Sequence, residues 1–162
     1  MSQRTGEGAR PGLLGWCVAE HGRYYAREWG FGTFFEAKVA TDMSSFLVRA
    51  DTPGCHIWWA EDDAGFTGTL TIDGGDADDG LTHLRWFITS DRARGQGLGN
   101  LLLSTAISTA RDDGARGVFL TTFAGLDAAR RLYEKHRFML VSEQRDTTWG
   151  TEVTEQRFEV KF

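Results

Sequence analysis

Proline and cysteine are almost missing: the 162 residues hold two of each, Pro11 and Pro53, Cys17 and Cys55. The cysteines lack metal-ligand spacing and sit among apolar neighbours, so they read as buried thiols. His21, His56 and His136 stand at no spacing that suggests a metal, and no metal is expected. No stretch of eighteen apolar residues occurs, which excludes an expected membrane helix. Met1-Ser2-Gln3-Arg4 leads into Gly and Arg rather than the apolar segment of a signal peptide, so the chain is expected in the cytoplasm. There is no Lys/Arg-rich run, and the formal net charge is −5. Nucleic acid and anionic membranes are therefore poor partners, whereas a cationic acceptor is suited. No Lys-Ser or Lys-Thr pair exists anywhere, which removes the P-loop.

What is present is glycine, and it is concentrated where it matters. Arg94-Gly95-Gln96-Gly97-Leu98-Gly99-Asn100 lies between two apolar runs. The run before it, Leu84-Arg85-Trp86-Phe87-Ile88-Thr89, is short and rich in aromatic and β-branched residues, as a buried strand is. After it, Leu98, Leu101, Leu102, Ala106 and Ala110 recur at helical spacing. A glycine turn from strand to helix offers unpaired N–H groups, positive φ and the positive end of a helix dipole, which together cradle an anion such as a pyrophosphate. The dinucleotide fingerprint G-x-G-x-x-G fails, because position 100 is Asn100. A turn that merely connects strand and helix is the plain alternative.

Along the chain, residues 1–12 read as a flexible N-terminal segment and 13–162 as one folded domain. Gly15 to Ala19 reads as a first strand, and Tyr24 to Trp29 as a short helix or turn. Thr33 is placed to cap a helix from Phe34 to about Arg49, with Glu36 completing a capping box. His56–Ala60 and Phe66–Ile72 form a hairpin, and the acidic, glycine-rich stretch from Asp73 to Gly80 reads as a mobile loop. Beyond the glycine turn come a strand at Gly117–Thr122, a helix at about Leu126–His136 and two last strands, Phe138–Arg145 and Glu152–Phe162. The fold class is α/β, a mixed sheet of about six or seven strands with about four helices.

Arg94-Gly95-x-Gly97-x-Gly99 fits [QR]-x-x-G-x-[GA], and with Leu132-Tyr133 it resembles the GCN5-related N-acetyltransferase (GNAT) superfamily. The resemblance covers nearly the whole chain. Gly15-Trp16, His21-Gly22, Tyr25, Phe35-Glu36, Leu84-Arg85-Trp86-Phe87, Ala128 to Glu134 and Trp149-Gly150 are similar to the narrower group of acetyltransferase domains fused to MarR-type regulators. The DNA-binding half of those fusions has no counterpart among the dozen or so residues before the first expected strand. Arg137-Phe138 departs from the family's Gly-Phe after the tyrosine, placing a non-glycine where a helix end favours positive φ.

The resemblance implies a single-domain GNAT fold that takes acetyl-CoA as co-substrate. Phe87, Ile88 and Thr89 would bind its pantetheine arm, and Arg94, Gly95, Gln96, Gly97, Leu98, Gly99 and Asn100 its pyrophosphate. Tyr133 falls where family members protonate the departing thiolate, and His83 where related enzymes carry a catalytic glutamate or histidine. By two-residue alternation His83, Arg85 and Phe87 share one strand face. Plain packing is the alternative for Tyr133, and a solvent-bonded strand end for His83. Arg85 either binds an anionic group of the acceptor or pairs with Glu36 or Glu61. Glu36 is a second candidate for base or acceptor-binding carboxylate, besides its cap role. The implied reaction is direct attack of a primary amine, on a small molecule or a protein, on the thioester; a homodimer is an open option. A non-catalytic acetyl-CoA sensor is the competing function.

Overall fold

Leu13, Cys17 and His21, four residues apart, are the buried positions of helix α1, which spans Leu13–Trp29 in a computed structural model describing residues 2–162. This replaces the strand expected over Gly15–Ala19. A short apolar run fits either element, and the four-residue repeat extends through polar positions that break a strand pattern. The helix stops at Gly30, whose left-handed backbone (φ 66°) lets its N–H reach the Ala26 carbonyl. Helix α2 follows at Thr33–Leu47 and buries Phe35, Val39, Met43 and Phe46 on one face. Its cap is Gly32, with no side-chain cap hydrogen bond, so the Thr33–Glu36 capping box does not form.

Seven strands make one sheet in the order β1-β2-β3-β4-β5-β7-β6. They are β1 Arg4–Glu7, β2 Cys55–Asp62, β3 Gly65–Asp78, β4 Leu81–Thr89, β5 Gly117–Phe123, β6 Met139–Asp146 and β7 Val153–Lys161. Only β4 and β5 run parallel; the other neighbours are antiparallel. Helices α3 (Leu98–Asp112) and α4 (Asp127–Lys135) complete the four expected helices. Leu102, Leu103 and Ala106 of α3 pack one face of the sheet through Leu70, Leu120 and Phe158. On the opposite face α1 and α2 close over Ile57, Phe123 and Val153. Cys17 and Cys55 are free and buried there, as their neighbours suggested. The whole is a mixed-sheet α/β domain.

Two segments are more ordered than their composition suggests. Arg4–Glu7, within the stretch expected to be loose, pairs antiparallel with Trp58–Glu61. His56 ties that edge to α3, its Nδ1 lying 2.7 Å from Glu7 Oε1 and its Nε2 2.7 Å from Asp113 Oδ2. Of the expected loop at Asp73–Gly80, Asp73–Asp78 is instead the far end of β3, and only Asp79–Gly80 turns into β4. Asp73 there is fully buried and accepts two hydrogen bonds from the Arg49 guanidinium, at 2.6 and 2.7 Å. Glycine is needed at position 75 because a Cβ would stand 2.5 Å from Arg49 Nη1. The acidic composition thus serves a buried ion pair with fixed geometry.

Candidate active site

Strand β4 is irregular at its centre. Thr69 pairs with Ile88 and Thr71 with Arg85, so Trp86 and Phe87 together oppose Leu70 alone. The extra residue is a β-bulge, and Trp86 takes a left-handed backbone (φ 46°) that a bulky side chain adopts at a cost of about 1–3 kcal/mol. Such strain persists only where the surroundings enforce it; here the Trp86 ring packs on Phe46, with the Arg85 guanidinium 4.2 Å from its centroid. The bulge bends β4 away from β5. The two strands pair from Leu81–Gly117 to His83–Phe119 and then diverge. Beyond that point the β5-facing edge of β4 has no strand partner, and a cleft opens through the sheet.

The bulge also corrects the expected alternation. His83 and Arg85 do face the α1–α2 side together: Arg85 Nη2 lies 3.8 Å from Asp42 of α2. Phe87 is turned to the other face, where it packs with Tyr133 and Leu132 on the α3–α4 side. Two cavities result, one on each face. They meet at Tyr25, Phe87, Thr122 and Tyr133, which line both.

On the α3–α4 face a groove of about 450 Å³ is bounded by Phe87, Ile88, Thr89, Arg94, Gly95, Gly99, Leu132 and Tyr133. The glycine turn forms its end. Gly95 (φ 72°) and Gly97 (φ 77°) are both left-handed, and Gly97 is the N-cap of α3. No atom lies within 4 Å of where a Cβ would stand at either, so the cradle is open and a side chain would fill it. A Cβ at Gly99 would come 3.3 Å from Leu132 Cδ2, which keeps α3 close to α4. Gln96 donates to the Arg92 carbonyl at 2.8 Å, Leu98 is buried in the core, and Asn100 Oδ1 lies 2.9 Å from His136 Nε2. These three side chains are engaged within the protein and shape the loop. Arg94 is exposed and pairs with Asp91 at 2.9 Å.

Tyr133 stands at the junction of the two cavities, 7% exposed. Burial pushes its phenol well above the ordinary value, so it keeps its proton throughout the working pH range. Helix α4 ends just beyond it at Lys135, and Arg137, two residues on, takes positive φ (66°) at the non-glycine position noted above.

The second cavity, about 310 Å³, lies on the α1–α2 face. His83 borders its inner end, stacked on Phe119 at 4.3 Å between centroids, with Nδ1 2.7 Å from Asp76 Oδ2. Burial, and then the nearby Arg85 charge, lower its pKa below the ordinary value against the opposing effect of Asp76. Arg85 is paired internally, neither with Glu36 nor with Glu61. Its Nη1 donates to Asp73 at 3.2 Å and lies 3.7 Å from Asp76. Glu61 instead pairs with Arg4 and Arg10. Glu36 is exposed, lies against Gly22 of α1 and does not line the cavity.

Among the lining residues Thr122 and Glu155 carried no signal in the sequence, while His21 and Tyr25 stood there only within the resemblance and with no role. His21 borders this cavity as a neutral imidazole, burial lowering its pKa to about 4 while its Nδ1–H donates to the Cys17 carbonyl at 2.8 Å. Tyr25, Thr122 and Glu155 join it from α1, β5 and β7. Each comes from a different element, so no spacing reveals them. Trp149 was visible as part of Trp149-Gly150, and here it closes the outer wall. Among the described residues no cluster of His, Cys, Asp and Glu is arranged to hold a metal. No helix among the described residues is long and apolar enough to cross a membrane.

The sequence matches the Acetyltransferase (GNAT) family over residues 18–138. No curated protein matches it. Among solved structures, an acetyltransferase of the GNAT family from Streptococcus pneumoniae is 22% identical, with 99% of this chain and 100% of that one aligned at a TM-score of 0.70. A ribosomal-protein-alanine N-acetyltransferase from Brucella melitensis is 15% identical, covering all of both chains at 0.76. The yncA protein of Salmonella typhimurium, solved with its cofactor acetyl-CoA, is 15% identical over 99% of this chain and 94% of its own at 0.69. At these identities the likeness is one of fold.

Proposed function

This chain belongs to the Acetyltransferase (GNAT) family, and on that premise we propose that it is an acetyl-CoA-dependent N-acetyltransferase acting by direct transfer to a primary amine. The observation that carries this reading is the junction: an open glycine cradle leads along one groove to Tyr133, and a separate cavity reaches the same tyrosine from the other face of the sheet. The bound acetyl-CoA of the Salmonella structure supports the donor assignment. Backbone N–H groups of Gly95 to Asn100 at the α3 N-terminus hold the pyrophosphate, with Arg94 as a flanking cation. The unpaired edge of β4 at Phe87, Ile88 and Thr89 binds the pantetheine arm and polarises the thioester carbonyl.

In the transfer, the amine nitrogen bonds the acetyl carbon as the carbon–sulfur bond breaks. Tyr133 gives its phenolic proton to the leaving thiolate, and the attacking nitrogen loses one proton to a base, so that the products are the amide and the free thiol. His83 is that base. Asp76 holds the Nδ1 proton, which leaves the Nε2 lone pair for the substrate side. Arg85, locked among Asp73, Asp76 and Asp42, borders the acceptor cavity as a fixed wall. Leu84, Arg85, Trp86, Phe87 and Trp149, which carry the likeness to the MarR-fused group, all line that cavity. We place the reaction in the cytoplasm, in keeping with two free thiols.

The test is release of coenzyme A thiol from acetyl-CoA across a panel of primary amines, with the acetylated product identified by mass. Equal amounts of thiol and N-acetyl amine are expected. Tight acetyl-CoA binding with no amine-dependent thiol release would instead establish the non-catalytic sensor.

A further inference from the structure

The acceptor cavity contains an imbalance that the transfer chemistry alone does not require. Its outer part is a closed ring of four aromatic side chains. Tyr25 and Phe35 have centroids 4.8 Å apart, Phe35 and Trp149 5.6 Å, Trp149 and Phe123 5.8 Å, and Phe123 and Tyr25 5.6 Å. Glu155 of β7 lines the same cavity, opposite Phe123 in the strand register.

The charged side chains bordering this space are Lys38, Asp42, Arg85 and Glu155, and three of the four are paired. Lys38 Nζ lies 2.9 Å from Asp42 Oδ2, and Arg85 is held by Asp73 at 3.2 Å. Arg157, next on the same face of β7, is taken by Asp78 at 2.8 Å and Glu159 at 3.0 Å. Among the described residues Glu155 has no cation within ion-pair distance. Beside it, the buried Trp149 Nε1 makes no hydrogen bond of good geometry, although its indole N–H lies close enough to the Glu155 carboxylate to favour the charged form. Burial first, and then Asp146, raise the Glu155 pKa, while the nearby Trp149 indole opposes them.

A half-buried carboxylate without a counter-charge is costly, and aromatic faces attract cations. Among the described residues the cations lining the cavity are Lys38, paired with Asp42 and 5.6 Å from the Trp149 centroid, and Arg85, held by Asp73; neither is unpaired, and an acceptor's carboxylate would also meet Glu155 as a like charge. We infer that Glu155 and the ring of Tyr25, Phe35, Phe123 and Trp149 select the acceptor: a primary amine that docks as its ammonium ion, carried on an aromatic or apolar body with no carboxylate on the amine-bearing carbon. The selected ion then releases its excess proton to solvent before attack, and His83 takes the proton lost by the attacking nitrogen. This inference rests on the acetyltransferase reading for its chemistry, but its binding step can be measured without turnover.

The probes are 2-phenylethylamine and L-phenylalanine, which differ by one carboxylate at the amine-bearing carbon. Calorimetric titration of the protein with coenzyme A present should show 2-phenylethylamine binding at least about tenfold more tightly, the scale of one charged hydrogen bond. Glu155→Gln should weaken that binding by about 10–100-fold while acetyl-CoA affinity is retained, and Glu155→Asp should restore part of the loss. If thiol is released with other amines but 2-phenylethylamine neither binds nor reacts, the acceptor assignment falls and the transferase stands. If 2-phenylethylamine binds in a Glu155-dependent way and no amine is ever acetylated, the pocket assignment holds and the transferase falls. Equal binding of L-phenylalanine, or unchanged binding to the glutamine variant, overturns the inference even in the wild-type fold.

Discussion

In the proposed transfer, Tyr133 and His83 would divide the proton work between two opposite shifts. Burial raises the phenol and lowers the imidazole, so at neutral pH one holds a proton to give and the other a lone pair to receive it. Tyr133→Phe keeps the ring packed against Phe138 and Phe158 but removes the donor. It should lower kcat by about 10²–10⁴-fold, the span for a lost general acid, with acetyl-CoA affinity little changed. Undiminished turnover would leave Tyr133 as a packing residue. For His83 the sign runs the other way. A base with a lowered pKa loses activity only when protonated, so kcat/KM should fall as pH drops through a value below the ordinary 6.5 of histidine. His83→Gln should remove that acid-side ionisation from the kcat/KM profile, and an unaltered profile would exclude His83 as the base. Both proposals came from the family resemblance, His83 by counting back from the glycine turn and Tyr133 by the Leu132-Tyr133 match. Glu155 was not legible in the sequence, since only the β5–β7 register brings it to the cavity.

At the scale of elements, the parts that could be read were those whose backbone demands a residue type. Gly95 and Gly97 hold φ values of 72° and 77°, which few other residues tolerate, so the turn announced itself. Gly97→Glu adds both a strained backbone and a negative charge to the cradle. It should abolish the rise in melting temperature that acetyl-CoA gives the native protein by linkage, and a retained rise would put the donor elsewhere. The β4 bulge was illegible for the opposite reason. Trp86 is a poor residue for φ 46°, and nothing in Leu84-Arg85-Trp86-Phe87 marks the break in alternation. The strain is stored there because Phe46, Arg85 and the surrounding sheet over-determine it. Helix α1 was hidden by a local apolar cluster, and the end of β3 by composition. Asp73 to Asp78 looks like loop, yet it is fixed by Arg49 and Arg85, which lie far away in the chain.

The whole molecule is a sheet split between β4 and β5, with a cavity on each face and Tyr133 where they meet. That arrangement allows donor and acceptor to be present together, and it gives direct transfer a kinetic signature. Initial rates of thiol release, with acetyl-CoA and an accepted amine varied against each other, measure it most directly. A single complex of both substrates at Tyr133 requires double-reciprocal lines that intersect. Parallel lines, with an acetyl group left on the protein in the absence of amine, would contradict direct transfer across the junction.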